Sequence, residues 1–155
     1  MTSSNPDALS LTQALPLMEE RLSRGQTVSF LPHGTSMLPL IRSDLDRITL
    51  APLPKTLRRY DLPLYRRQNG QFVLHRIVSS GEPYTMCGDN QVYPETGIRR
   101  EQMIGIVTEF SRNGRKFSVT HPLYRLYCIL WCGSRPLRKI LRRIRSRITR
   151  LLHCS

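Results

Sequence analysis

Between residues 27 and 120 the chain is a succession of short β-forming runs separated by proline and glycine, and this punctuation constrains the fold most. The runs are TVSFL (27–31), DRITLA (46–51), DLPLYRR (61–67), FVLHRIV (72–78), PYTMCG (83–88), MIGIVTEF (103–110) and KFSVT (116–120). Asn113-Gly114, between the last two, is a hairpin-turn dipeptide. No long helical pattern interrupts the series, which excludes alternating β/α units and predicts a mainly β, coiled antiparallel domain. A helix is expected upstream, over 15–24, where Leu15, Met18 and Leu22 recur at helical spacing and Gly25 closes the run. Ser10 and Gln13 form a capping-box pattern, with Pro16 awkward for an earlier start. After His121 the texture becomes helical, broken at 133–136. Three parts follow: an N-terminal segment over 1–26, a β domain over 27–120, and a helical tail over 121–155.

The stretch HGTSMLPL, His33 to Leu40, joins the first run to the second. Gly34, Thr35, Ser36 and Pro39 are too crowded for a core strand, and Met37 has no use in a merely solvated loop. The segment is built to present a side chain, either as the N-cap of a short helix over 37–41 or as a nucleophile. A nucleophilic serine needs a base. Of the four histidines, His33 shares the turn, His121 precedes a proline and His153 is terminal, whereas His75 stands inside a β run. Downstream, Asp89 and Glu95 are carboxylates able to orient a histidine.

G-T-S-M-L-P, Y-D-L-P-L-Y-R-R, V-L-H-R-I-V, G-D-N and I-G-I-V follow one another over residues 27–110. In that order and at those separations they resemble the type I signal peptidase superfamily, which also holds the LexA-type self-cleaving repressors. The His-Arg pair, where many members have a lysine, is similar to the branch of endoplasmic-reticulum and archaeal signal peptidases. The resemblance implies a coiled antiparallel β fold of signal-peptidase/LexA type and a serine endopeptidase acting on a peptide or precursor protein. By position it makes Ser36 the nucleophile, His75 the general base and Asp89 the acid member, with Glu95 in reserve. Gly34 and Met37 would contact substrate, and small residues would be preferred before the cleaved bond. The backbone N–H of Ser36 would serve the oxyanion; Gly34 stands where many members carry a second hydroxyl donor. An unperturbed histidine titrates near ~6.5, so activity is expected to fall below neutrality. Two other functions are compatible with this fold. A non-catalytic peptide-binding module would need neither Ser36 nor His75. A LexA-like self-cleaving regulator would need a DNA-reading domain for which 26 residues are too few.

Charge is divided unevenly. Residues 1–109 carry 12 basic and 11 acidic side chains, residues 110–155 carry 12 basic and none acidic. In the tail, Tyr124, Tyr127 and Trp131 share one helix face, and Leu137, Ile140, Leu141, Ile144, Ile148, Leu151 and Leu152 share another. Phosphate neutralisation alone would not need an apolar stripe, so an anionic membrane surface is the expected partner, ahead of nucleic acid or a protein. Truncation from about residue 122 is then expected to leave the domain folded. No basic-then-apolar signal opens the chain and no run reaches 18 apolar residues, which predicts a cytoplasmic protein, peripheral on the membrane. Cys87, Cys128, Cys132 and Cys154 lack zinc spacing and read as free thiols, and no cofactor or metal is called for.

Overall fold

The computed structural model describes residues 11–152, with side chains over 13–145; the cap at Ser10, His153 and Cys154 lie outside the described residues. Helix α1 (Leu11–Ser23) precedes nine strands. These are β1 (Val28–Phe30), β2 (Arg47–Ala51), β3 (Pro63–Arg66), β4 (Phe72–Leu74), β5 (Arg76–Ser79), β6 (Tyr84–Cys87), β7 (Glu95–Ile98), β8 (Met103–Arg112) and β9 (Arg115–Ser118). Helices α2 (Pro122–Gly133) and α3 (Arg135–Leu152) complete the chain. All strand pairings are antiparallel. The fold is mainly β, with antiparallel sheets and three helices.

One sheet runs β1-β2-β8-β3-β4, and the second runs β5-β6-β7. The ten-residue β8 organises the first. One of its edges takes β2, and the other is shared by β3 near Met103–Ile106 and by β9 near Glu109–Arg112. The β8–β9 turn has positive φ at Asn113 and Gly114, 51° and 77°, as the dipeptide predicts.

The period-two pattern of the strands serves two cores. Leu64 and Leu74 join Met18, Leu22, Ile48, Leu50 and Val107 under α1. Their immediate neighbours Tyr65 and Val73 point the other way, into a cluster with Ile77, Tyr84, Met86 and Ile98 of the second sheet. Strands buried on both faces read as near-continuous apolar runs, which is how LPLY and FVL appear in the sequence. Helix α1 buries Leu15, Met18 and Leu22, the anticipated stripe. It begins at Leu11, upstream of expectation, and accommodates Pro16 inside. The close approach uses Gly105, where a Cβ would lie 3.0 Å from the Ala51 carbonyl and 3.1 Å from Leu22.

Two strand expectations are corrected. The run FVLHRIV is not one strand: β4 belongs to the first sheet and β5 to the second, and His75 is the single residue between them. The segment ETGI also forms β7, although threonine is its one strong β-former besides isoleucine.

Helix α2 is part of the body of the protein rather than a detachable tail. Cys128 and Cys132 are buried, and Tyr124 packs against the core under α1. Its aromatic face turns inward: the Tyr124 hydroxyl takes a hydrogen bond from Arg76, Tyr127 donates to Asp89, and Trp131 Nε1 donates to the Asp89 carbonyl. A chain ending at His121 would expose the buried Arg76 and Asp89. We expect it to lose at least about 3 kcal/mol, the scale of disrupting a buried charge network. Urea denaturation of the truncated and full chains measures this, and equal midpoints would show that α2 contributes nothing to the domain.

Candidate functional site

Residues 32–46 connect β1 to β2 as a series of turns, not a helix, so Ser36 is not an N-cap. Apolar anchors hold the segment from below, Met37 at 4% and Ile41 at 2% exposure. Polar groups hold it from the sides. Arg112 donates to the carbonyls of Pro39 and Leu40, and Arg42 forks onto the buried Asp46. The Gly34 N–H donates to Ser43 Oγ at 2.9 Å, and His33 pairs with Asp44 on the surface. The Gly34 amide is therefore committed elsewhere. The Ser36 N–H donates to no described group, which leaves it available.

The G-D-N turn after β6 closes on this segment residue by residue. Gly88 lies so near that a Cβ there would sit 2.6 Å from the Ser36 carbonyl oxygen. Asn90 clamps the turn twice: its N–H donates to the Ser36 carbonyl at 2.8 Å, and its side-chain Nδ2 to the Thr35 carbonyl at 3.1 Å.

His75, 2% exposed, faces the same cavity of about 270 Å³, which Gly34, Thr35, Ser36, Met37, Arg67 and Gln91 also line. The Ser36 Cβ and His75 Nε2 each lie 3.1 Å from the position a Cβ on Gly88 would take, so they are no more than about 6 Å apart. The Ser36 hydroxyl makes no hydrogen bond with the ring or with any other described residue. That spacing places the pair across one narrow gap, with the hydroxyl free to turn.

On its far side the ring is fixed. His75 Nδ1 is 3.2 Å from the Tyr65 hydroxyl, which itself donates to Glu95 Oε2 at 2.8 Å. Having spent its proton on Glu95, the Tyr65 oxygen accepts from Nδ1–H. The lone pair is then on Nε2, toward Ser36. Arg67 holds the Glu95 carboxylate through Nε at 2.8 Å and through its terminal nitrogen at 2.6 Å. Arg67 hydrogen bonding keeps Glu95 below the ordinary carboxylate range, so it stays an acceptor. Burial, helped by the Arg67 charge and partly offset by Glu95 and Asp89, lowers His75 from 6.5 to about 4. Burial thus favours the neutral ring below the pH at which an unperturbed histidine would take up a proton.

Asp89, the expected acid member, is not hydrogen-bonded to the His75 ring. Both Asp89 oxygens are taken, Oδ1 by Arg76 Nε at 2.8 Å and Oδ2 by Arg76 at 2.7 Å and Tyr127 at 3.0 Å. Asp89 orients Arg76 and α2, whereas the reserve candidate Glu95 reaches His75 through Tyr65. The sequence reading assigned no role to Tyr65, Arg67 or Asn90, although all three lie inside the quoted motifs. The available signal was the hairpin register, which pairs Tyr65 with Val73 and so puts Tyr65 on the face that His75 would continue.

Among the described residues no group of three or more His, Cys, Asp or Glu is placed to hold a metal. Cys87, Cys128 and Cys132 are free and buried. Comparison with protein-family models, with characterised proteins and with solved structures finds no match for this chain.

Two substitutions separate the roles of neighbouring residues. Asp89→Asn leaves the Arg76 charge half-paired in a fully buried position and should cost about 3–5 kcal/mol, read by urea denaturation. Gly88→Ala forces its methyl against the Ser36 carbonyl and should cost about 1–3 kcal/mol while shifting the amide resonances of 34–37. A Gly88→Ala protein with unaltered stability and spectrum would show that the two turns do not meet as described.

Proposed function

We propose that the chain is a serine endopeptidase of signal-peptidase/LexA type that cleaves a peptide or precursor protein through Ser36 and His75. The observation that carries this reading is the one-sided imidazole: Nδ1 is tied to Tyr65 and Nε2 opens on the cavity that Ser36 lines. A buried structural histidine would have both nitrogens satisfied by the fold.

In the proposed reaction Ser36 Oγ attacks the carbonyl of the scissile peptide while Nε2 accepts its proton. The negative charge that develops on the carbonyl oxygen meets the Ser36 N–H. Collapse expels the amine, protonated by the imidazolium, and leaves an ester on Ser36. Water then attacks that ester, losing its proton to Nε2, which returns it to Ser36 Oγ as the ester bond breaks and the acid product departs. Throughout, Tyr65 holds the ring and stabilises the imidazolium by passing its interaction to the Glu95 carboxylate. Met37 and Gly34 line the cavity beside the nucleophile, where the substrate chain would run.

A serine-reactive fluorophosphonate probe tests the centre without knowledge of the substrate. Labelling should require Ser36 and fall by at least about 10³-fold in Ser36→Ala, with stability unchanged within about 0.5 kcal/mol. His75→Ala should be comparably inert, and Tyr65→Phe should be slower by at least about tenfold, because the ring loses its orientation. Equal labelling of Ser36→Ala would defeat the assignment.

The pH dependence follows from the sign of the His75 shift. Its neutral form is the active one, and its lowered value of about 4 keeps that form populated as pH falls. The labelling rate of folded protein should therefore hold through the weakly acid range and halve near pH 4, not near 6.5. The unfolded chain takes up the proton first, so folding stability should decline as pH falls from about 6.5 to about 4. A kinetic midpoint near 6.5 would mean that His75 is not the buried base.

A further inference from the structure

Helix α2 is apolar on two sides, and only one of them meets the protein. Its inward arc carries Tyr124, Cys128, Trp131 and Cys132. On the opposite arc Leu123, Leu126, Ile129 and Leu130 stand in solvent, exposed by 68%, 50%, 52% and 64%. A helix apolar all round is normally covered all round. Helix α3 continues the pattern. Arg138 and Arg142 face inward, donating to the carbonyls of Asp89 and Asn90, while Leu137, Ile140, Leu141 and Ile144 form an outward stripe at least 49% exposed. Residues 122–152 include nine basic side chains and no acidic one.

We propose that the outer face of α2 and α3 docks on the surface of an anionic lipid bilayer. The eight apolar side chains would enter the boundary of the acyl region, with the flanking arginines at the level of the headgroup phosphates. Charge and apolarity decide between occupants only together. A second copy would bring a second set of the same cations beside that interface. A nucleic acid would neutralise the cations but leave the eight apolar chains in water. Among the described residues no helix is long and apolar enough to cross a membrane, so the pair lies on the bilayer rather than through it. The lipid-facing stripe is not the aromatic row that the sequence singles out, because that row is spent on the domain.

Docking also has a direct line to the candidate centre. Arg142 on α3 holds Asn90, and Asn90 holds the Ser36 carbonyl, so the helix on the membrane and the turn bearing the serine are two bonds apart. The surface would thereby set where the cleft sits relative to a membrane-bound substrate.

The test is co-sedimentation of the full chain with vesicles of phosphatidylcholine alone and of phosphatidylcholine mixed with phosphatidylglycerol, at low and high salt. We expect binding to the mixed vesicles at least about tenfold tighter than to neutral ones. High salt should weaken that binding without abolishing it, because the apolar contribution is not screened. Leu130→Glu with Leu141→Glu, both exposed, should remove at least about tenfold of the affinity and leave the thermal midpoint unchanged. If that pair shifts the midpoint, Leu126→Gln with Leu137→Gln provides the same comparison with a milder change. Failure to sediment with either vesicle, or binding unaffected by the substitutions, overturns the proposal. So does self-association that the substitutions abolish, which would assign the face to a second copy. Complete release by duplex DNA with a steep salt dependence would assign it to nucleic acid and overturns it too. None of these readouts depends on Ser36, so the peptidase reading stands or falls separately.

Discussion

The architecture around the candidate centre depends on one buried ion pair. Arg76 and Asp89 are both fully buried, and removing two charges from water costs several kcal/mol each unless every donor and oxygen finds a partner. Here they do. Two Arg76 nitrogens fork onto Asp89, and the third reaches the Tyr60 carbonyl, the Tyr124 hydroxyl and Cys128 Sγ. The pair matters because of what stands beside it in sequence. His75 precedes Arg76, and Gly88 and Asn90 flank Asp89, so fixing the pair fixes the base and the clamp on the Ser36 turn together. Asp89 thus reaches the candidate site chiefly through backbone position, because its carboxylate makes no hydrogen bond with the imidazole.

The same pair explains why the basic tail begins with aromatic residues. Without cover, Arg76 and Asp89 would lie at the surface, where the fork competes with water. Tyr124, Tyr127 and Trp131 supply a lid that is apolar in body and polar at the tip, so each ring excludes solvent while donating or accepting one bond. Arg138 then stacks on Trp131, 4.2 Å from its ring centre, and caps the Asp89 carbonyl. Cations at these inner positions neutralise outward-pointing carbonyls of 89–90, which have no strand partner. The concentration of positive charge therefore has two sources, an inner set with a structural task and an outer set set beside apolar residues.

Much of the fold was legible because the β runs are short, punctuated and antiparallel, and because Asn113-Gly114 admits one kind of turn. What failed has identifiable physical causes. The split at His75 is silent in the sequence, since Val73, Leu74, Ile77 and Val78 are apolar on both sides of the break and the polar His75-Arg76 pair reads equally well as part of one continuous strand. The strand β7 is held by its partner β6 rather than by propensity, as Tyr84↔Ile98 and Met86↔Glu95 pairing shows. Asp89 and Glu95 are indistinguishable by type and position. Only the buried arginine next to His75 decides which carboxylate it captures. The aromatic face of α2 was visible, but in a helix with one charged residue in twelve, periodicity alone does not tell which side meets the domain.

The interposed tyrosine also bears on how strong a base the centre can hold. A carboxylate in direct contact with Nδ1 favours the imidazolium and raises basicity. Here Glu95 acts at one remove, and Arg67 sits close enough to oppose protonation. The consequence is a ring that burial biases towards its neutral form, at the expense of driving force for accepting a proton. An imidazolium formed there would be stabilised by negative charge brought near it, whereas further exclusion of water would disfavour it. The chain Arg67–Glu95–Tyr65–His75 therefore fixes the tautomer and orientation of the ring while leaving its basicity low.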